Sequence, residues 1–245
     1  LRVWKMLIPE EPAVPAYVGL STYGLLLGHY GKWHDGEGDL AYKYRKEIQK
    51  HRIYTLGSYV KIPEIVGTTG KETLELTSTP TKEQSFNRVS LVDRPRDSYI
   101  EFPKITLQEA QDGTAIKYLE ALENTIPSIN RPNKALMYIW DEPKEEDYPS
   151  VETLGKLVKK YAPSLKVLLT EPYTKVLDPY VDIWVPVMDE FGGTFAGTPE
   201  YDKLKKEGKQ IWWYISCLSH GCDYLSDSGT PDFVIDRQSG YIRTI

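Results

Sequence analysis

The sequence predicts an α/β protein, and within that class a (β/α)8 TIM-type barrel that is truncated before its eighth strand. Two observations support the class: the predicted strands are apolar almost without interruption, and helical patterns alternate with them. Seven such strands fit a barrel better than an open doubly wound sheet, and no glycine-rich phosphate loop follows the first strand. Because a barrel must close, we expect the eighth strand beyond Ile245. Residues 1–245 are interpreted as a single catalytic barrel domain.

The first part of the chain contains three predicted strands, at 2–8, 53–60 and 98–102. A helix is expected between the first two, beginning with Asp39 as N-cap and placing Leu40, Tyr44 and Ile48 on one face. Residues 61–97 are polar and show no clear period. They are too many for an ordinary connection, so we expect a functional loop or a small β insertion there.

The remaining chain alternates helices and strands more regularly. Thr106 and Glu109 have the spacing of a capping box, which predicts one helix that continues to about Pro127. Ser150 is the expected N-cap of the next helix, and Thr198 with Pro199 begins the last one. The fourth to seventh strands are predicted at 135–140, 165–170, 181–187 and 210–216, and the tail at 233–245 resembles a helix or turn.

The predicted fourth strand ends in two adjacent carboxylates, Asp141 and Glu142, followed by Pro143. Active sites of parallel α/β proteins gather at the carboxyl ends of the strands, and Pro143 is expected to keep Glu142 extended. Neighbouring carboxylates interact strongly, so that one stays ionised while the other retains its proton. This arrangement suits general acid catalysis combined with electrostatic stabilisation. The alternative is that the two acids only cap the next helix or pair with Lys or Arg.

Glycoside hydrolysis is the natural reaction for two carboxylates at the mouth of such a barrel. Many barrel glycosidases place a nucleophilic carboxylate at the end of the seventh strand, but here the stretch from Gln210 to Cys217 contains no acid. Asp141 and Glu142 are adjacent and therefore too close to act on opposite faces of a sugar ring. The pattern favours a substrate that supplies its own nucleophile, a 2-acetamido oxygen. Asp141 would stabilise the acetamido nitrogen, and Glu142 would protonate the leaving oxygen.

Three motifs carry a resemblance to a known family. They are Tyr-Ile-Trp-Asp-Glu-Pro at 138–143, Val-Asp-Ile-Trp-Val-Pro at 181–186 and Trp-Trp-Tyr-Ile-Ser-Cys at 212–217. His51-Arg52 and the stretch 233–236 add to them. Over about residues 40–245 the chain resembles glycoside hydrolase family 123 and its largely uncharacterised relatives.

The resemblance implies a (β/α)8 barrel and a retaining, substrate-assisted reaction of the β-N-acetylgalactosaminidase type, without a cofactor or metal. It assigns Glu142 as acid/base and Asp141 as the residue that stabilises the acetamido group. This chain lacks the flanking β-sandwich and the eighth strand of such enzymes. We therefore expect a missing segment or flanking domains to complete the barrel.

Five further side chains are candidates for substrate binding. Tyr173 would bind the acetamido group or stand as a rim aromatic, and Trp184 would pack in the core or form a sugar platform. Asp189 would bind a sugar hydroxyl or begin a loop. Trp213 and Tyr214 are adjacent and so point to opposite faces, with one of them inside the barrel and near the substrate.

Two other functions remain open from the residues alone. In a two-carboxylate glycosidase, Glu142 would work with Glu171, which also precedes a proline, or with Asp189. The other is a carbohydrate-binding barrel that has lost activity. A 2-acetamido glycoside that is cleaved while its 2-hydroxy counterpart is not would distinguish the leading hypothesis from both.

The expected partner is a carbohydrate substrate, and two other classes of partner are not expected. The net charge of −5 argues against nucleic acid, and no apolar run approaches the roughly 18 residues that a membrane helix needs. Cys217 and Cys222 are expected to be a pair of free thiols. A short-loop disulfide is the second interpretation, and a metal site is the third, because it lacks enough ligands. The absence of a secretory signal and of an initial Met predicts a processed form or a fragment. The compartment stays open, with secreted or periplasmic slightly favoured over cytoplasmic.

Overall fold

The computed structural model describes residues 16–19, 44, 47–48, 50–51, 53–56, 63–76, 99–129, 132–186 and 199–214. Its strands are β1 (Ala16–Gly19), β2 (Ile53–Leu56), β3 (Ile65–Val66), β4 (Thr73–Leu74), β5 (Ile100–Phe102), β6 (Ala135–Asp141), β7 (Lys166–Thr170), β8 (Ile183–Trp184) and β9 (Gln210–Ile211). Its helices are α1 (Leu107–Asp112), α2 (Thr114–Thr125), α3 (Tyr148–Tyr161) and α4 (Pro199–Lys206). Residues 44, 47, 48 and 50 are also helical, as the sequence predicted for part of that stretch.

A five-stranded parallel sheet with the order β5-β6-β7-β8-β9 contains most of the predicted strands. Its strands follow one another in space as they do in sequence, and helices connect β5 to β6, β6 to β7 and β8 to β9. This pattern confirms the α/β class, since parallel neighbours need crossover connections. Strands β1 and β2 form a separate parallel pair. Within the described ranges, no helix is long and apolar enough to cross a membrane.

The described residues divide into two compact units. The first holds those up to Lys104 together with Asp112–Met137 and Tyr161–Leu165. The second holds Ile105–Gln111, Tyr138–Lys160 and the residues from Lys166 onward. The first three residues of β6 belong to the first unit and its last four to the second. Both candidate carboxylates, Asp141 and Glu142, therefore belong to the second unit.

In the first unit, the polar stretch 61–97 contains a small antiparallel hairpin formed by β3 and β4. Helix α2 fixes this hairpin: the buried hydroxyl of Thr125 accepts the N–H of Leu74 at 2.7 Å and donates to the carbonyl of Ala121 at 2.6 Å. The Asn124 amide donates to the carbonyl of Glu72 at 2.9 Å. The hairpin therefore corresponds to the β insertion that was one of two interpretations of this stretch.

The single helix predicted from Thr106 to about Pro127 is wrong, because Gly113 divides it into α1 and α2. Gly113 has a φ of 82°, a left-handed conformation that a residue without Cβ adopts at little cost. Asp112 then accepts the N–H of Thr114 at 2.9 Å, which begins α2. The predicted capping box is confirmed: Thr106 N–H binds Glu109 at 2.7 Å, and Glu109 N–H binds the Thr106 hydroxyl at 3.2 Å.

In the second unit, helix α3 buries an apolar face made of Val151, Leu154, Gly155 and Val158. Gly155 permits a close approach, because a Cβ at this position would lie 2.6 Å from the Cβ of Tyr180. The Tyr180 hydroxyl donates to Glu152 of the same helix at 3.0 Å. The ring of Tyr180 thus lies across α3 and ties it to the segment that leads into β8.

The prediction that Ser150 caps this helix is wrong, since α3 begins two residues earlier, at Tyr148. A 3-10 turn, Glu145–Asp147, precedes it. The carboxylate of Asp147 accepts the backbone N–H of Lys144 at 3.0 Å, and the N–H of Asp147 binds the carbonyl of Lys144 at 2.8 Å. These bonds start the helical segment before Ser150, which therefore lies inside the first turn.

Asp182, in the second of the three motifs, holds β8 beside β7. Its carboxylate accepts the N–H of Val167 at 2.6 Å and also binds the ammonium group of Lys159. Its own N–H donates to the carbonyl of Val167 at 2.9 Å. These contacts give the acid at this position a structural role, because its carboxylate and its backbone N–H both bind Val167 of β7 and so align β8 with β7.

The remaining predicted elements agree with the structure or fall outside it. The fourth strand corresponds to β6, the fifth to β7, and the sixth and seventh to the shorter β8 and β9. Pro199 begins α4 as predicted. Strand β1 was not anticipated, because the sequence before it is rich in proline. The predicted first strand at 2–8, the cysteines and the tail at 233–245 lie outside the described residues.

Candidate active site

The two candidate carboxylates lie where the sequence placed them, at the carboxyl end of a strand buried in a parallel sheet. Asp141 is the last residue of β6 and Glu142 follows it, and both are exposed while Pro143 is buried. The neighbouring strand β7 ends at Thr170 on the same edge. Residues from both strand ends therefore meet around the carboxylates.

Two hydroxyl groups fix the carboxylate of Asp141. Its Oδ1 accepts a hydrogen bond from the hydroxyl of Tyr138 and another from Thr170 Oγ1 at 3.1 Å. The two hydroxyl oxygens are themselves 2.8 Å apart. Hydrogen bonds to a charged acceptor are stronger than those between neutral groups. When Asp141 is ionised, the hydroxyls of Tyr138 and Thr170 therefore both donate to its carboxylate and not to each other. None of the described residues donates to Oδ2, and Asp141 is exposed.

Burial raises the pKa of the Tyr138 phenol well above its usual value, and the hydrogen bond to Asp141 raises it further. The neighbouring Thr170 hydroxyl acts in the opposite direction, but its effect on the pKa is weaker than these two effects together. Tyr138 therefore keeps its proton throughout the neutral range. It acts as a permanent donor to Asp141 and holds one carboxylate oxygen in place.

Glu142 has an unusual backbone conformation, with a φ of 45°. The expectation that Pro143 keeps this residue extended is wrong. Left-handed φ values are uncommon for residues with a side chain and cost about 1–3 kcal/mol. Two contacts hold the conformation: the N–H of Glu142 donates to Thr170 Oγ1 at 2.9 Å, and its Oε1 accepts the hydroxyl of Tyr214.

Thr170 joins the two acidic residues, since its hydroxyl contacts the Asp141 side chain and the Glu142 backbone. We expect Thr170→Val to lower the free energy of unfolding by about 1–2 kcal/mol, because the isosteric side chain removes the hydroxyl but keeps the packing. Urea denaturation would measure the change. Thr170→Ser is the matched control and should stay close to wild type. A Val variant as stable as the Ser variant would contradict this role.

The structure distinguishes the two adjacent aromatic residues that follow β9. Tyr214 is the one that reaches Glu142, whereas the side chain of Trp213 is 43% exposed. The N–H of Tyr214 binds the carbonyl of Pro186 at 3.2 Å, which continues the pairing of β9 with β8. The expectation that one of the pair faces the site therefore points to Tyr214.

Tyr173 and Trp184 form a pair away from the carboxylates' hydrogen bonds. Their rings are in edge contact with centroids 5.4 Å apart, and Trp184 is 0% exposed. Trp184 therefore packs in the core, the first of the two roles considered for it, and offers no surface to a sugar. Tyr173 is partly exposed beside it, and its N–H binds the hydroxyl of Tyr201 at 3.3 Å. Asp189 lies outside the described residues.

Glu171, the alternative partner of Glu142, follows directly after β7 and accepts the hydroxyl of Tyr148 at 2.8 Å. Burial, together with the hydrogen bond to Glu171, raises the pKa of Tyr148 to about 12. The Tyr148 hydroxyl therefore remains protonated and continues to donate to Glu171 near neutral pH.

Sequence reasoning missed Tyr138, Thr170 and Tyr148. A signal existed for Thr170, because the carboxyl ends of adjacent parallel strands meet at one edge and Thr170 ends the strand after Asp141. No comparable signal existed for the two tyrosines, since a tyrosine within a strand or at a helix start usually packs.

The site presents two adjacent, exposed carboxyl groups, each with one oxygen bound by a tyrosine hydroxyl. Within the described ranges, no group of three or more His, Cys, Asp or Glu side chains is placed to hold a metal ion. When the chain was compared with models of protein families and with curated proteins, nothing matched.

Proposed function

We propose that this chain is a glycoside hydrolase that acts on 2-acetamido sugars of the β-N-acetylgalactosaminide type by a retaining, substrate-assisted mechanism. One observation carries the proposal. Asp141 and Glu142 are adjacent at the end of a buried strand, both are exposed, and each has one oxygen bound by a tyrosine. The resemblance of the three motifs to glycoside hydrolase family 123 adds support.

In the first step, Glu142 as a carboxylic acid donates its proton to the glycosidic oxygen. The bond from that oxygen to the anomeric carbon breaks while the acetamido carbonyl oxygen attacks the same carbon, which produces a cyclic oxazolinium ion. Asp141, fixed through Oδ1, accepts the acetamido N–H on Oδ2 and stabilises the positive charge as it forms. Groups that are already oriented need no rearrangement during the reaction.

In the second step, Glu142 as a carboxylate removes a proton from water, and the water oxygen attacks the anomeric carbon. The bond to the acetamido oxygen breaks, and the sugar is released with the configuration it had in the substrate. Two inversions at one carbon give net retention. Both steps use the two residues in the same positions, which suits a pair of neighbours on one strand end.

The contact between Tyr214 and Glu142 favours a barrel for the sheet. The two residues stand at the ends of β9 and β6, which are separated by two other strands. In a flat sheet, side chains stand roughly perpendicular to the surface and would not meet across about 14 Å, which is three strand spacings. A sheet that curls toward closure brings such strand ends together. We therefore retain the (β/α)8 barrel as part of the proposal.

The test compares two aryl β-galactosides that differ only at the second carbon, one with a 2-acetamido group and one with a 2-hydroxyl. We expect the wild-type protein to hydrolyse the first at least about a hundredfold faster, because an intramolecular nucleophile gives a large rate advantage. Release of 4-nitrophenol measures both rates. Equal turnover would instead favour the two-carboxylate glycosidase with Glu171 or Asp189. Glycan binding without turnover would favour a carbohydrate-binding barrel.

A further inference from the structure

The backbone of Tyr214 is fixed by a hydrogen bond to the segment that follows strand β8, which a side chain that only contacts substrate does not require. Its backbone N–H binds the carbonyl of Pro186, and two residues earlier the N–H of Trp212 binds the carbonyl of Trp184 at 2.9 Å. The β9 strand is thereby extended past its last regular pair. From this backbone, the hydroxyl of Tyr214 donates to Oε1 of Glu142.

We propose that Tyr214 is a positioning residue for the acid/base Glu142, and not primarily a contact for the sugar. The inference rests on the proposed function and assigns a role within the same site. Tyr214 holds Oε1, so that Oε2 is the oxygen presented to the substrate. It also stabilises the carboxylate that remains on Glu142 after the proton has moved to the glycosidic oxygen.

The second effect depends on the leaving group. When Glu142 gives up its proton, its hydrogen bond from Tyr214 gains a charged acceptor and becomes about twice as strong. A poor leaving group, such as phenol, needs nearly complete proton transfer in the transition state and gains from this bond. A good leaving group, such as 2,4-dinitrophenol, departs with little assistance and gains almost nothing.

The experiment is Tyr214→Phe, assayed on the phenyl and 2,4-dinitrophenyl 2-acetamido β-galactosides. We expect kcat/KM for the phenyl substrate to fall by about ten- to a hundredfold, as for loss of a hydrogen bond to a charged group. The value for the dinitrophenyl substrate should change by less than about threefold. Retained turnover of the dinitrophenyl substrate also shows that the variant is folded.

Tyr180→Phe is the matched control, because it removes a tyrosine hydroxyl from a glutamate, Glu152, on helix α3 away from the site. It should not alter the leaving-group dependence. Equal losses of Tyr214→Phe on both substrates would overturn the positioning role while leaving the proposed function intact. Wild-type protein that cleaves neither substrate would instead overturn the proposed function, and this inference with it.

Discussion

Glu142→Gln is expected to lower kcat for the phenyl 2-acetamido glycoside by about 10²- to 10⁴-fold, the range for loss of a general acid. The amide keeps the size of the side chain and can accept the Tyr214 hydroxyl, but it has no proton to give to the leaving oxygen. The rate of the first step on the dinitrophenyl glycoside should fall less, because this leaving group needs little protonation. Steady-state and burst kinetics would separate the two steps.

The matched control for this prediction is Glu146→Gln, an exposed glutamate in the 3-10 turn four residues farther along. It should leave kcat unchanged. A Glu142→Gln variant with wild-type activity on the phenyl substrate would remove Glu142 from the mechanism. Rescue by azide with inversion of configuration would point to a covalent nucleophile in place of the acetamido group.

Asp141→Asn is expected to lower kcat/KM for 2-acetamido substrates by about 10²- to 10³-fold, comparable to removing one preorganised electrostatic contact. Tyr138 and Thr170 would continue to donate to the remaining oxygen, so the new NH2 group would take the place of Oδ2. That group is a donor and would face the acetamido N–H, which is also a donor. The variant therefore loses the attraction and gains a repulsion.

The rates of Asp141→Asn on 2-acetamido and 2-hydroxy glycosides provide the measurement. We expect the preference for the acetamido substrate to shrink or vanish. Asp202→Asn, on the exposed side of helix α4, serves as the control and should keep the preference. An Asp141→Asn variant that retains the full preference would contradict the assigned role.

The position of the two carboxylates could be predicted from sequence because a single pattern determined it. Residues 135–140 form a largely buried strand in a parallel sheet, and the first polar residues after such a run, Asp141 and Glu142, must lie at its carboxyl end. The choice between Trp213 and Tyr214 could not be made in this way. Alternation says that the two point apart, but only the register of β9 beside β8 decides which one reaches Glu142.

Other features depend on contacts that no local pattern contains. The apolar stripe of the predicted helix begins at Ala115, after Gly113, so its periodicity gave no sign of the left-handed break before it. Ser150 is a good capping residue, but the carboxylate of Asp147 binds the backbone earlier and starts the helical segment first. In both cases the start of the helix was determined by local hydrogen bonds and backbone conformation, because residue propensities are only weak predictors of helix boundaries.

The left-handed φ of Glu142 also matters to anyone who tries to make this protein more robust. A common stabilising strategy replaces residues at positive φ with glycine or asparagine, which tolerate that conformation better. Applied to position 142, it would relieve strain and at the same time delete the acid on which the proposed chemistry depends. Thermostability and turnover would move in opposite directions at this one residue, so a screen for heat resistance alone would select against the enzyme.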